Sequence, residues 1–112
     1  MRPTVHLDGT TLTPAEVERI ATNHADVQIS EDAWQKVRTA RNVVEGILER
    51  GETVYGINTG FGALVHARIS PEDLAQLQTN LVRSHATGLG DAMTRESVRA
   101  MMTVRINSLV KG

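Results

Sequence analysis

The sequence predicts a mainly α domain of about four helices, with a short N-terminal β-hairpin and one glycine-rich loop. Three observations point there. Apolar residues recur at helical spacing in four separate segments. Each segment opens on a Ser or Thr, followed in two cases by Pro, which is how capped helices begin. The 112 residues are also 40% hydrophobic but only 3% aromatic, so the core must be aliphatic. That length suits a single domain spanning residues 1–112.

In chain order, Val5 to Leu7 reads as extended, with Asp8-Gly9 as the turn of the hairpin. Thr13-Pro14-Ala15-Glu16 is a capping box with proline at the first helical position. It opens a helix from Pro14 to about Asn23, with Val17 and Ile20 on its apolar side. Val27-Gln28-Ile29 is a brief extended link. Ser30 caps a second helix, Glu31 to about Arg50, whose first-turn acids suit the helix dipole. Its stripe is Ala33/Trp34, Val37, Ala40, Val44 and Ile47/Leu48, and Gly51 ends it. A glycine loop follows, from Thr53 to roughly Leu64. Ser70-Pro71-Glu72-Asp73 opens a third helix that stops near Gly88, with Leu74, Leu77, Leu81 and Val82 inward. Thr94 caps a fourth, carrying Val98, Met101, Met102, Ile106, Leu109 and Val110, and its apolar face still runs at Gly112.

A net charge of −1 offers no electrostatic footprint for nucleic acid or an anionic membrane. The absence of cysteine excludes disulfides and thiolate chemistry. MRPTVHLDGT lacks the apolar run of a signal peptide, and no later segment could span a bilayer. A cytoplasmic protein without membrane or nucleic-acid partners is therefore expected. His6, His24, His66 and His85 are scattered, so no metal site is expected.

The stretch YGINTGFG, residues 55–62, holds the chain's one Tyr and one Phe among three glycines. It is no phosphate loop, because Gly62 is followed by Ala63-Leu64 rather than by Lys and a hydroxyl residue. It is no dinucleotide fingerprint either, since Val65 takes the place of the third glycine. A plain helix connector is the commoner meaning of such a loop. A connector has no use, however, for Tyr55 and Phe61, or for Asn58 and Thr59 between glycines. A phenol among backbone N–H groups is a candidate acid or base. His85 lies one turn after Leu81, where a structural role is the ordinary reading. Arg105 falls within the fourth stripe, as a residue meeting another subunit would.

VYGINTGFG, followed at a matching distance by LQTNLVRSHATGLG, resembles the N-terminal part of the histidine ammonia-lyase family. The opening LDGTTLTPAEV and the closing RINSLVKG are similar to the same family, so the likeness covers nearly the whole chain. The resemblance implies the N-terminal helical domain of the ammonia-lyase fold, with the glycine loop as its catalytic loop. It implies release of ammonia from an aromatic amino acid, L-histidine giving urocanate. It also implies a 4-methylideneimidazol-5-one electrophile, which the family forms from an internal Ala-Ser-Gly, and assembly as a homotetramer. By the same resemblance Tyr55 is the base that takes the β-proton, and Gly56, Asn58, Thr59 and Gly60 shape its loop. Phe61, Gly62, Ser84 and His85 border the substrate, His85 reaching the imidazole, with Asn80 a lesser candidate.

Such a role answers why aromatics stand in the loop. The β-proton of histidine is hardly acidic, so a strong base must be held at contact distance in a water-poor pocket. No Ala-Ser-Gly occurs in the 112 residues. The chain is therefore expected to be an N-terminal portion ending before that segment, inactive alone and completed by the C-terminal remainder. The alternatives are a segment of a tyrosine aminomutase or tyrosine ammonia-lyase, whose members also place His near position 85, and a non-catalytic helical assembly module.

Overall fold

In a computed structural model, residues 3–112 are described. Strand β1 (Thr4–Leu7) alternates exposed and buried side chains, which turns Val5 and Leu7 inward. It pairs in parallel with β2 (Asp26–Ile29), in register from Thr4↔Asp26 to Leu7↔Ile29. The hairpin expected from the sequence is thus replaced by a parallel pair. The reason lies at Asp8, whose Oδ1 accepts the Thr10 and Thr11 N–H groups at 2.7 and 2.8 Å. Its Oδ2 accepts the Thr11 hydroxyl at 2.7 Å. Gly9 takes φ +87° within this turn. The turn delivers the chain into helix α1 (Pro14–Asn23) instead of back along β1. Parallel strands need a crossover, which α1 supplies, so the segment read as a link becomes the second strand.

The capping box of α1 forms: the Thr13 hydroxyl accepts the Glu16 N–H at 3.3 Å, and the Glu16 carboxylate accepts the Thr13 N–H at 2.8 Å. Helix α2 is Glu31–Arg50, helix α3 Leu74–His85 and helix α4 Arg95–Leu109. The structure divides into two compact units, one of residues up to 41 together with 91–112, the other of 42–90. Helix α2 begins in the first and ends in the second.

In the first unit α1 packs against α4. Val5, Leu7, Ile20 and Ala25 form its core, with Leu12 and Ile106 against them. The inward face of α4 is Arg99, Thr103 and Ile106, continued by Val110 just past its end, whereas Met101, Met102 and Leu109 are exposed. Arg99 is drawn in because its Nε and Nη2 donate to the Ile20 carbonyl at 3.1 and 2.9 Å, satisfying a carbonyl near the end of α1. Thr103 is buried with its hydroxyl on the Arg99 carbonyl at 2.8 Å. The apolar run read from the sequence therefore wraps around α4 rather than forming one inward stripe.

In the second unit α3 starts at Leu74, after a turn over 71–73, and not at Ser70. The Ser70 hydroxyl donates to Asp73 Oδ2 at 2.8 Å and caps no helix N–H. Leu74, Leu77 and Leu81 are half-buried, but Val82 is exposed. The fully buried side chains of this unit are polar, Asn58 and Thr59. Among the described residues no helix is long and apolar enough to cross a membrane.

Candidate active site

The glycine loop grows out of the end of α2. Gly51 turns left-handed at φ +66°, and the Gly51 and Glu52 N–H groups donate to the Leu48 and Ile47 carbonyls at 3.1 and 3.2 Å. This pair of bonds closes the helix, and a glycine at the left-handed position makes it possible. Arg50 Nε then meets Glu52 Oε1 at 2.5 Å, and holds the exposed Glu52 carboxyl below its ordinary range.

Asn58 anchors the turn beyond Glu52. Only 4% exposed, it donates from Nδ2 to the Glu52 carbonyl at 2.6 Å and accepts the Val54 N–H on Oδ1 at 2.9 Å. The Ile57 and Asn58 N–H groups return to the Val54 carbonyl at 3.1 and 3.3 Å, folding 54–58 into a tight turn. Gly56 sits within it at φ +78°, a conformation side chains rarely adopt. Thr59 is 2% exposed, its Oγ accepting the Gly56 N–H at 3.4 Å and donating to the Gly60 carbonyl at 3.0 Å.

Residues 58–60 then pair with 67–69. Thr59 and Arg68 form an isolated antiparallel bridge. The Gly60 N–H donates to the Ala67 carbonyl at 2.9 Å, and the Ile69 N–H to the Asn58 carbonyl at 3.0 Å. A Cβ on Gly60 would lie 2.5 Å from the Leu64 carbonyl oxygen, so only glycine fits. Gly62, at φ +56°, begins a single helical turn, Gly62–Leu64.

On this pinned backbone stands Tyr55. Its side chain is 62% exposed, and among the described residues no hydrogen bond engages its hydroxyl. Its partner is Phe61, edge to face, with ring centroids 5.9 Å apart and planes at 72°. Hydrogen bonds thus tie the loop's backbone on both sides of Tyr55, and among the described residues none holds the phenol oxygen. The phenol oxygen is left open to solvent.

Ser84 and His85 lie on the last turn of α3, both exposed. His85 Nδ1 is 2.9 Å from the Leu81 carbonyl and 3.1 Å from Ser84 Oγ, and the Ser84 hydroxyl donates to that carbonyl at 2.8 Å. A carbonyl only accepts, so the contact puts a proton on Nδ1 and leaves Nε2 of the neutral ring as an acceptor. Asn80 is engaged along the helix, its Oδ1 accepting from Gln76 Nε2 at 2.8 Å. Among the described residues no hydrogen bond or ring contact joins the Tyr55–Phe61 pair to Ser84–His85.

One participant carried no signal in the sequence. Arg68 donates from Nη2 to the Gly51 carbonyl at 2.9 Å, seventeen residues away. It lies in no apolar stripe, and its partner is a backbone atom.

A parallel strand pair crossed by a capped helix, followed by a Tyr-bearing glycine loop on the end of a long helix, defines a class of protein. The chain belongs to the aromatic amino acid lyase family, whose sequence profile matches residues 12–112. It is 46% identical to histidine ammonia-lyase of Streptococcus gordonii across all 112 residues, which make up 22% of that protein. Among solved structures, histidine ammonia-lyase of Trypanosoma cruzi superposes with a TM-score of 0.88 at 40% identity, over 97% of this chain and 21% of the other. Tyrosine aminomutase of Streptomyces globisporus superposes with a TM-score of 0.90 at 37% identity, over 98% and 21% respectively. The chain spans about a fifth of the length of these relatives.

Proposed function

We propose that this chain is the base-bearing, substrate-gripping portion of a histidine ammonia-lyase, which converts L-histidine to urocanate and ammonia. The observation that carries the reading is Tyr55, an exposed phenol on a backbone fixed on either side by Asn58 and by the Thr59–Arg68 bridge.

The elimination removes a proton from Cβ and the amino group from Cα, and the electrons of the broken C–H bond become the new double bond. Tyr55, as phenolate, accepts the proton. Because its backbone is anchored, the oxygen searches few positions, and this is how preorganisation lowers a barrier. Phe61 limits the ring's swing and supplies an apolar wall. Gly62 lets the backbone pass close by without a side chain. His85 turns its Nε2 acceptor toward a ring that carries a donor; neutral imidazole offers an N–H, whereas a phenyl ring would leave the acceptor unpaired. Ser84 shares the Leu81 carbonyl with His85 and holds the imidazole in that orientation.

The family resemblance implies a 4-methylideneimidazol-5-one as acceptor of the amino group. These 112 residues contain no Ala-Ser-Gly to form it and no cysteine to offer covalent help. The electrophile is therefore assigned to the remainder of a full-length lyase. The exposure of Val82 on α3 and of Met101 and Val104 on α4 supports packing against that remainder and against further subunits of a tetramer. A cytoplasmic setting suits a chain without cysteine.

A second reading, tyrosine aminomutase or tyrosine ammonia-lyase, draws on the same Nε2 acceptor, which suits a phenol equally well. The TM-score of 0.90 to the Streptomyces globisporus aminomutase favours keeping it in view. Product identity separates the two: urocanate from histidine, against β-tyrosine or coumarate from tyrosine.

The test is Tyr55→Phe in the enzyme assembled with its C-terminal portion. Loss of a positioned base should lower kcat by about 10²–10⁴-fold with little change in KM. Turnover that survives the loss of the hydroxyl overturns the assignment.

A further inference from the structure

We infer that Arg68 is a positioning residue for Tyr55, latching the glycine loop to the C-terminal end of α2. The inference rests on the reading of Tyr55 as the base, but its structural half stands on contacts of its own.

Two ties meet at Arg68, one from its side chain and one through its backbone. Its guanidinium Nη2 reaches the Gly51 carbonyl at 2.9 Å, where the loop begins. Its backbone pairs with Thr59, in the middle of the loop. Its neighbours complete the pairing through the bonds of Ala67 to Gly60 and of Ile69 to Asn58, at 2.9 and 3.0 Å. The Arg68 side chain thus holds the foot of the loop, and the bridge in which Arg68 stands holds its middle. Tyr55 lies between the two tied points, Gly51 and Thr59, and Phe61 lies just past the bridge on the same tied segment.

The chemistry of the tie is suited to orientation. A helix C-terminus carries partial negative charge and unbonded carbonyls, which favour a cation there. Among the described residues no carboxylate pairs with Arg68, so its charge is directed at that carbonyl. The side chain is exposed, and an exposed contact of this kind adds little to global stability. It restricts where the loop can go. Loosening it should therefore spare the fold and blunt the chemistry, because a displacement of about 1 Å at a reacting group can cost about 10²-fold in rate.

The experiment has two arms. In the first, amide hydrogen exchange is followed on the assembled lyase carrying Arg68→Ala or Arg68→Lys. Arg68→Ala should speed exchange at Gly56 to Gly60 by about tenfold or more. The amides of α1 and α4 should be unchanged, which certifies that the variant is folded. Arg68→Lys keeps a donor and a charge, and should restore most of the protection; it also carries the test if the alanine variant unfolds. In the second arm, Arg68→Ala in the assembled lyase should lower kcat about ten- to a hundredfold, with KM within about threefold of the parent and partial rescue by lysine. Unchanged exchange overturns the latch. Faster exchange with unchanged kcat leaves a structural contact and overturns the positioning role. Tyr55→Phe, run alongside, separates the two readings: full turnover there removes the base, and with it the purpose of the latch, whatever the exchange shows.

Discussion

Asn58 shows how much one buried amide can decide. Its two polar ends satisfy a carbonyl and an N–H just before Tyr55, at Glu52 and Val54. Asn58→Ala would strand both partners, and a buried polar group left unsatisfied costs about 1–3 kcal/mol. The expected outcome is a loss of that order in the local stability of residues 52–60, measured by hydrogen exchange, with the first unit's core unaffected. A loss spread evenly over the chain would contradict it. Asn58 was legible in the sequence because an amide between glycines has no place in a simple connector. Arg68 was not. Its partner is a carbonyl seventeen residues away, and side-chain spacing carries no information about such a bond. His85 was legible as a residue but not as a tautomer, which depends on the Leu81 carbonyl meeting its Nδ1.

At the scale of elements, the caps mark where local chemistry spoke clearly and where it spoke ambiguously. Thr13 to Glu16 could mean little besides a helix start, and α1 begins there. Asp8-Gly9 was ambiguous, since the same pair serves a hairpin turn or a side-chain turn leading into a helix. What decided it was β2, a strand whose first three side chains are exposed and whose partner lies across a whole helix. Period-2 alternation cannot reveal such a strand. The side-chain turn also sets a pH dependence. The Thr10 and Thr11 N–H groups, with the Thr11 hydroxyl, hold the Asp8 carboxyl well below its ordinary 3.8. The Thr13 N–H and hydroxyl hold Glu16 below 4.5. Both shifts are downward, so the stability they confer is complete above the unfolded-state values and is lost as pH falls through them toward the folded-state values. The melting temperature of the chain should therefore decline as pH drops below 4.5. Asp8→Asn keeps the turn's acceptor without the titration, and should flatten part of that decline in melts taken from about pH 6 to about pH 3. A decline identical in parent and variant would rule the Asp8 turn out as its source.

For the whole molecule the decisive contrast is between what the two units bury. The first encloses Val5, Leu7, Ile20 and Ala25, an aliphatic core of the kind the composition foretold. The second buries Asn58 and Thr59, and leaves Tyr55, Leu64 and Val82 exposed. Hydrophobic burial is the main favourable term in folding, so the second unit has little of its own to hold it against chain entropy. That asymmetry suits a segment that presents a loop and a helix to other parts of a lyase, whose surfaces would complete its burial. It predicts an order of opening. In the chain alone, amides of α3 should exchange well before those of β1, α1 and α4. Ile20→Ala, which empties a site at the centre of the first core, should cost about 2–5 kcal/mol and erase protection in β1, α1 and α4. In the assembled enzyme α3 should gain protection while α1 gains little, because its apolar side is already covered within the chain. If α3 proved as protected as α1 in the isolated chain, the half-buried leucines Leu74, Leu77 and Leu81 would have to be holding the second unit unaided. The need for a covering remainder would then fall away.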